Sequence, residues 1–198
     1  NFITEEVYIM SSETSAVNVH GAWSAKRLTL LAMMLALISV SSYIAIPLPF
    51  SDAKITAQTM IVNLIGLLIA PQDTILVMAS WLLLGLCGVP VFSGGSAGPG
   101  KLLGPSGGYY IGFLVVAFLI SLFCRKWKNV AFQTAFLIVV GIPVIYAFGA
   151  GWMKHVTGQP WGAVIVQSII PFIPLDIVKC VAAVALGKAL KRTGLFGN

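Results

Sequence analysis

The chain has 198 residues, of which 58% are hydrophobic and only 9% are charged, and its formal net charge is +6. Soluble globular proteins carry about 25% charged residues, so this composition excludes a water-soluble fold and predicts an integral membrane protein. The positive charge does not indicate a nucleic-acid partner, because the basic residues flank apolar segments instead of forming a stripe.

Residues 1–22 form a polar N-terminal tail that contains three glutamates and no apolar run of the kind found in a signal peptide. Met10 is a candidate initiator, which would make residues 1–9 a leader foreign to the native chain. We therefore leave the tail out of the fold prediction and assign residues 23–198 to a single transmembrane domain.

Six apolar segments follow, and each is compared with the roughly 20 apolar residues that a spanning helix needs. In chain order they cover residues 28–46, 55–70, 74–89, 109–124, 130–150 and 161–190. Pro71 ends the second segment, Pro143 is expected to kink the fifth, and Pro171 and Pro174 are expected to break the last, leaving 171–190 as its span. The sequence thus predicts an all-α membrane protein with six transmembrane helices.

The distribution of Lys and Arg between the predicted spans indicates the orientation of the chain. If both termini are cytoplasmic, the basic residues on that side are Lys26, Arg27, Arg125, Lys126, Lys128, Lys188, Lys191 and Arg192. The opposite side then has Lys54, Lys101 and Lys154. Because basic residues concentrate on the cytoplasmic side of membrane proteins, this bias and the even number of spans predict that both termini are cytoplasmic.

Two ionisable side chains, Asp176 and Lys179, lie within the last apolar segment. Placing a charge in the membrane core is costly, so such residues indicate a functional site. Their i, i+3 spacing puts both on one face of a helix, where they can pair with each other or offer an acceptor and a donor to a polar ligand. The alternative is a structural ion pair that locks the helices together.

A glycine-rich loop, residues 89–113, joins the third and fourth predicted spans on the outer side. Glycine lets the backbone approach a ligand closely, and Phe92, Tyr109 and Tyr110 frame the loop in the way that aromatic residues line small-molecule pockets. A flexible connector is one alternative. Close helix packing in lipid is another, for the glycines spaced four apart, Gly104, Gly108 and Gly112.

Other chemistry is not indicated by the sequence. Residues 95–101, GSAGPGK, match the start of a phosphate-binding loop, but Leu102 replaces the Ser or Thr that should follow, and no strand precedes the segment. The cysteines and histidines have neither metal-ligand spacing nor a partner for nucleophilic catalysis. We therefore predict no nucleotide site, no metal site and no enzymatic activity.

Two weaker patterns occur near the predicted outer and inner ends of the first spans. In ITAQT, residues 55–59, Thr56 and Gln58 either hydrogen-bond a ligand or cap a helix. Ala32 and Ala36 have the small-xxx-small spacing that lets another helix approach closely. Chance is the alternative for this alanine pair, since alanine is common in spans.

The loop VPVFSGG…GPSGGYYIGF, the earlier ITAQT and the later PFIPLDIVK, in this order, resemble the BioY family over residues 26–192. BioY proteins are the biotin-specific S components of energy-coupling factor (ECF) transporters. The resemblance implies an ECF S-component-like bundle in the inner or plasma membrane of a prokaryotic cell, with an outward-facing pocket for biotin. It also implies a partner module of a transmembrane T protein and two ATPases, which hold ATP and Mg, so that this chain carries no cofactor.

The resemblance further implies roles for individual residues. Asp176 and Lys179 would meet the ureido ring of biotin, with the reverse polarity, Lys179 on the carboxylate, left open. Ala32 and Ala36 match the A-x-x-x-A with which the first helix of the family contacts the T protein. The full predicted substrate-binding set is Asp176, Lys179, Tyr109, Phe92, Lys101, Gln58, Thr56, Gly94, Gly95 and Gly108.

The sequence departs from the family pattern in two places. The first outer loop, PFSDAKITAQT, is a few residues longer than usual, which leaves open how Asp52 and Lys54 sit at the mouth of the pocket. Ser106 replaces a common threonine and keeps the hydroxyl. Two alternative functions remain: an S component for another vitamin, such as thiamine or riboflavin, and a self-sufficient secondary transporter, although no inverted repeat is detectable.

Overall fold

The computed structural model describes residues 24–47, 49, 53–127 and 129–194, so the predicted polar tail lies outside the described residues. The chain divides into two compact units, Asn1–Leu31 and Ala32–Asn198. Of the first unit, residues 24–31 are described, and they contain the first turns of helix α1, Ala25–Ser41. All of the other described elements belong to the second unit.

The described chain is mostly helical. After α1, a short antiparallel hairpin pairs β1 (Ala45–Ile46) with β2 (Ile55–Thr56), with Ala45 opposite Thr56. The remaining helices are α2 (Gln58–Leu68), α3 (Pro71–Leu86), α4 (Pro99–Leu103), α5 (Gly107–Phe123), α6 (Val130–Phe136), α7 (Ile142–Thr157), α8 (Trp161–Ser168) and α9 (Ile173–Arg192). A π-helical turn, Leu137–Gly141, joins α6 to α7.

The lengths of these helices bear on the prediction of six spans. Among the described residues, the continuous helix Val130–Thr157 is long and apolar enough to cross a membrane, and α8 with α9, bent by 46°, would give a second span if counted together. Helices α2, α3 and α5 are apolar but have only 11, 16 and 17 residues. The prediction of an all-helical class is confirmed, apart from the small hairpin, whereas six crossings stay a prediction.

The core of the second unit forms where α5 packs against α2, α3 and α7, and where α2 packs against α9. Glycine allows the closest of these contacts. A Cβ atom added at Gly66 of α2 would come within 2.7 Å of the carbonyl oxygen of Ala117 in α5. Gly108 at the start of α5 likewise packs against Phe148 and Trp152 of α7. Small residues at helix crossings are the rule where backbones approach closely.

Prolines lie at irregular points of the long helical segments. Pro143 has no N–H to donate within the helix, and the π-helical turn Leu137–Gly141 lies immediately before it. Pro171 lies in the break between α8 and α9, and Pro174 occupies the first turn of α9, where a missing N–H is harmless. The last helix therefore begins at Ile173, two residues after its predicted start.

The glycine-rich loop is more ordered than the sequence predicts. Phe92 and Ser96 form an antiparallel bridge, with Gly94 at φ +71° and Gly95 at φ +69° in the turn between them. A positive φ is readily available to glycine alone, which explains both glycines. The prediction that this segment is too rich in glycine for a helix is wrong for Pro99–Leu103, which forms α4 with proline in its first turn.

Candidate substrate-binding site

A cavity that is partly open to the outside of the protein lies within the second unit. Aromatic and apolar side chains form part of the wall: Tyr109, Tyr110, Phe113, Ile145, Tyr146 and Phe172. Polar side chains form the rest, mainly Lys54, Thr56, Gln58, Thr59, Ser93 and Ser106, together with Asp176 and Lys179.

Asp176 lies in the wall of this cavity and is held by two donors from different helices. The Lys179 ammonium donates to Oδ1 at 3.0 Å, and the Tyr146 hydroxyl of α7 donates to Oδ2 at 2.8 Å. Asp176 is only 4% exposed, and a carboxylate buried to this degree requires such partners. Because a carboxylate has about four lone-pair positions, both oxygens can accept a further hydrogen bond from a ligand.

A second set of polar side chains connects α2 to the hairpin and to the glycine-rich loop by hydrogen bonds. The side-chain amide of Gln58 and the indole N–H of Trp81 both donate to the carbonyl oxygen of Val91, at 3.2 and 3.1 Å. The Thr56 hydroxyl lies 3.5 Å from Oε1 of Gln58. Helix α2 has no side-chain cap at its start, so Thr56 and Gln58 do not act as capping residues. They fix the wall of the cavity instead.

Aromatic rings back the cavity on the loop side. Phe92 and Tyr110 stack, with ring centroids 4.5 Å apart and ring planes at 15°, and Trp81 meets both rings edge-on. Phe92 is fully buried behind Tyr110 and does not reach the cavity. Tyr109 does line the cavity, but its hydroxyl donates to the carbonyl oxygen of Ser168 at 2.8 Å. Tyr109 therefore offers its ring to a ligand.

The structure brings half of the predicted substrate-binding residues together around one cavity. The predicted residues that line it are Asp176, Lys179, Tyr109, Gln58 and Thr56. The predicted residues outside its lining are Phe92, Lys101, Gly94, Gly95 and Gly108. The two groups differ in position along the chain, since all five of the second group lie within residues 89–113, whereas only Tyr109 of the first group does.

Of the three glycines and one lysine outside the lining, one glycine contacts a residue of the lining. Gly94 packs directly against the side chain of Lys54, which does line the cavity. Gly95 packs against the ring of Tyr43. Gly108 serves helix packing, which was the alternative reading of its spacing. Lys101 is half-buried in α4.

Several lining residues are absent from the predicted set, above all Tyr110, Tyr146 and Ser93. The signal that was available for Tyr146 is a hydroxyl in an otherwise apolar segment, because a buried tyrosine usually finds a polar partner. The partner itself, Asp176, is 30 residues away, and only the hydrogen bond between the two side chains in the structure reveals it.

The two alanines of the predicted partner contact belong to α1. Ala32 and Ala36, four residues apart, are both exposed. Helical residues with this spacing share one face, so both alanines present small side chains on the same face of α1.

Comparison with known proteins identifies the family to which the chain is similar. The family model described as BioY family matches residues 11–195. The chain is 33% identical to the biotin transporter BioY2 of Lactococcus lactis subsp. cremoris over 165 residues, covering 83% of this chain and 90% of that protein. It is 34% identical to the probable biotin transporter BioY of Pyrococcus horikoshii over 167 residues, covering 84% and 97%.

A solved structure has the same fold. The crystal structure of the S-component for biotin from an ECF-type ABC transporter matches with a TM-score of 0.81 and 30% sequence identity, covering 88% of this chain and 97% of that chain. The fold is thus that of an S component of an ECF-type transporter. The chain belongs to the BioY family, and the resemblance found in its sequence motifs is confirmed.

Proposed function

We propose that this chain binds biotin in the cavity and delivers it across a prokaryotic cell membrane as the S component of an ATP-driven ECF transporter. Family membership and the names of the relatives support biotin as the cargo. The observation that carries the proposal is the buried carboxylate of Asp176, held by Lys179 and Tyr146 in the wall of a cavity lined by aromatic and polar side chains.

The chemistry of the cavity suits the parts of biotin. Its ureido ring has two N–H donors and one carbonyl, which match the acceptor of Asp176 and the ammonium of Lys179. Its thiolane ring is apolar and suits the aromatic and aliphatic part of the wall, where Tyr109 and Phe113 lie. A cavity with an apolar wall and few polar groups is the usual design of a small-molecule site.

The proposal includes six membrane crossings, cytoplasmic termini and a cavity that faces outward. The excess of Lys and Arg on one side supports this topology. Helices α2, α3 and α5 are shorter than a full span, so each crosses the membrane only together with the non-helical residues that flank it. Such irregular backbone is tolerated at membrane depth where protein surrounds it, as around Gln58 and Val91.

Transport in this proposal requires a partner module of one T protein and two ATPases, on which ATP and Mg are bound. The exposed pair Ala32 and Ala36 on α1 is the proposed contact with the T protein. Small side chains permit close helix approach, so a bulky residue at Ala36 is incompatible with this contact.

Titration of the purified protein with biotin tests the binding site. Asp176→Asn and Lys179→Met are each expected to raise the Kd at least tenfold, because a hydrogen bond to a charged group contributes about 1.5–3 kcal/mol. Lys188→Ala is the matched control, since Lys188 is an exposed lysine of the same helix and lies outside the cavity. It should bind biotin like the parent.

The other outcomes are equally informative. Unchanged binding in both site variants would make the pair structural and move the site towards the glycine-rich loop. If the parent binds no biotin but does bind another vitamin, the cargo is that vitamin. Uptake of labelled biotin in cells with and without an ECF module then tests the mechanism. Full uptake without a module would contradict the S-component role and favour a secondary transporter.

A further inference from the structure

Side chains from two other helices hold the turn that joins α5 to α6. The buried amide of Gln133 in α6 donates to the carbonyl oxygens of Cys124 and Trp127, at 3.0 and 2.6 Å. The ammonium of Lys191, in the last turn of α9, donates to the carbonyl oxygen of Arg125 at 2.9 Å. Three backbone carbonyls of one turn are therefore hydrogen-bonded from outside it, which gives the turn a defined shape.

These contacts bring two cations close together without a counter-charge. Lys191 is half-buried, its hydrogen bond goes to a neutral carbonyl, and the Arg125 guanidinium repels its ammonium. Among the described residues, no carboxylate pairs with Lys191, and Asp176 is paired with Lys179 instead. A partly buried cation that lacks a counter-charge is unfavourable, so an anion bound at this turn would stabilise the protein.

Three exposed cations surround this pair. Lys126 follows Arg125 in the turn, and Lys188 and Arg192 lie four residues apart on one face of α9. We call the five residues Arg125, Lys126, Lys188, Lys191 and Arg192 the basic patch. Arginine and lysine form strong, charge-assisted hydrogen bonds to phosphate oxygens, so a phosphate group is the anion that suits the patch.

Aromatic rings lie directly beside the basic patch. The Trp127 ring meets the rings of Phe132 and Phe136 edge-on, with centroids 4.3 and 5.7 Å apart. Phe132 is 56% exposed and Phe123, at the end of α5, is 51% exposed. In membrane proteins tryptophan concentrates at the level of the lipid headgroups, where one side of the ring is apolar and the other is wet. Apolar rings next to a phosphate-binding patch favour a lipid over a soluble phosphate.

We propose that the α5–α6 turn and the last turn of α9 form a binding site for the phosphate group of an anionic membrane lipid. Lys191 and Arg125 contact the phosphate, and Phe123 and Phe132 lie beside the acyl chains. Basic pockets between spanning helices bind anionic headgroups in this way. A general excess of basic residues on one side of a membrane accounts for the number of cations, but not for a turn that Gln133 and Lys191 hold in place.

This site is separate from the cavity. Lys191 lies about 22 Å along α9 from Asp176, at about 1.5 Å per residue. None of the five residues of the basic patch lines the cavity. The inference needs the membrane location of the chain, which family membership gives, and does not depend on biotin as the cargo.

The test measures which lipids the purified protein retains. Protein from micelles that contain equal amounts of phosphatidylcholine and phosphatidylglycerol is examined by native mass spectrometry, which counts the bound molecules of each lipid. The parent should retain phosphatidylglycerol in preference. Lys191→Met and Arg125→Gln should each lower the ratio of the two lipids about fivefold, the effect of one basic residue at an anionic surface.

Two further variants separate a folded site from net charge. Lys154→Met is the matched control, because Lys154 is also half-buried and donates to a backbone carbonyl, that of Gln159 at 3.0 Å, but lies near the other end of α7. It removes the same charge and should keep the parent's ratio. Gln133→Leu keeps every charge and releases the turn, so it should lower the ratio.

Three results would overturn the proposal. Equal losses in Lys191→Met and Lys154→Met, or an unchanged ratio in Gln133→Leu, would show that net charge alone attracts the lipid. Release of phosphatidylglycerol by millimolar inorganic phosphate would make this a site for soluble phosphate. Equal retention of both lipids by the parent would remove the site. Biotin titration of the same samples reports on the cavity independently, so failure of the proposed function is a distinct outcome.

Discussion

Tyr146 acts on the site through a single atom, its hydroxyl, which is the second donor to Asp176 at 2.8 Å. Replacement by phenylalanine keeps the ring and removes this donor, so the carboxylate loses part of its orientation. Tyr146→Phe should weaken biotin binding about tenfold, the effect of about 1.4 kcal/mol. Isothermal titration with biotin measures this change, beside the thermal unfolding of the same variant.

A double-mutant cycle tells whether Tyr146 acts through Asp176. In the Asp176→Asn background the oriented carboxylate is already gone, so Tyr146→Phe should have a much smaller effect there than in the parent. Additive losses in the cycle would mean that Tyr146 meets the ligand or supports the fold independently, and would contradict its role as a positioning residue.

Individual residues of the site were predictable to different degrees. Asp176 and Lys179 stand out because charges are rare in apolar segments, and both line the cavity. In the glycine-rich loop no such signal exists, because turns at positive φ remove any periodicity from the pattern of side chains. The sequence therefore does not distinguish Phe92 from Tyr110. In the structure Tyr110 lines the cavity, whereas Phe92 stacks on Tyr110 and lies outside the lining.

At the scale of elements, the crossing of α2 and α5 depends on Gly66. A methyl group there would press on the Ala117 carbonyl and on Ile120, whose Cβ would be 2.8 Å away. Gly66→Ala should therefore destabilise the protein by about 1–3 kcal/mol through overpacking, and lower its unfolding temperature in detergent by several degrees. Thermal unfolding followed by circular dichroism measures the shift.

Gly162→Ala in α8 is the matched control for this crossing. A Cβ atom at Gly162 has no atom within 4 Å among the described residues, so the substitution adds only helix propensity. It should leave the stability unchanged or raise it by about 0.5–1 kcal/mol. A similar destabilisation in both variants would show that steric contact at the α2–α5 crossing is not the cause.

Long elements were predictable from the sequence and short ones were not. Apolar runs and prolines predicted the approximate positions of the long helices, because each affects the conformation of the residues next to it in sequence. The ends of the first two predicted spans are wrong as helix, since Ala45–Ile46 and Ile55–Thr56 form the hairpin instead. Contacts between residues distant in sequence lie beside the hairpin, such as the hydrogen bond from the Gly94 N–H to the Ser42 carbonyl oxygen. Local sequence patterns do not predict such contacts.

At the scale of the whole molecule, helix length among the described residues gives one or two membrane spans, whereas the apolar segments of the sequence predict six. Two exposed residues lie near opposite ends of the helix Val130–Thr157: Lys126 precedes it and His155 belongs to its last turn. If it crosses, these residues face opposite sides, with Lys126 in the cytoplasm according to the distribution of basic residues.

Cysteine labelling in cells tests this arrangement. In a Cys87→Ser background, Cys124 and Cys180 remain but are buried, so they should not react. A membrane-impermeant maleimide should label His155→Cys on intact cells, and Lys126→Cys only after permeabilisation. The reverse pattern would invert the predicted orientation. Labelling of both positions on intact cells would show that Val130–Thr157 does not cross, which would remove the best-supported span and with it the six-span topology.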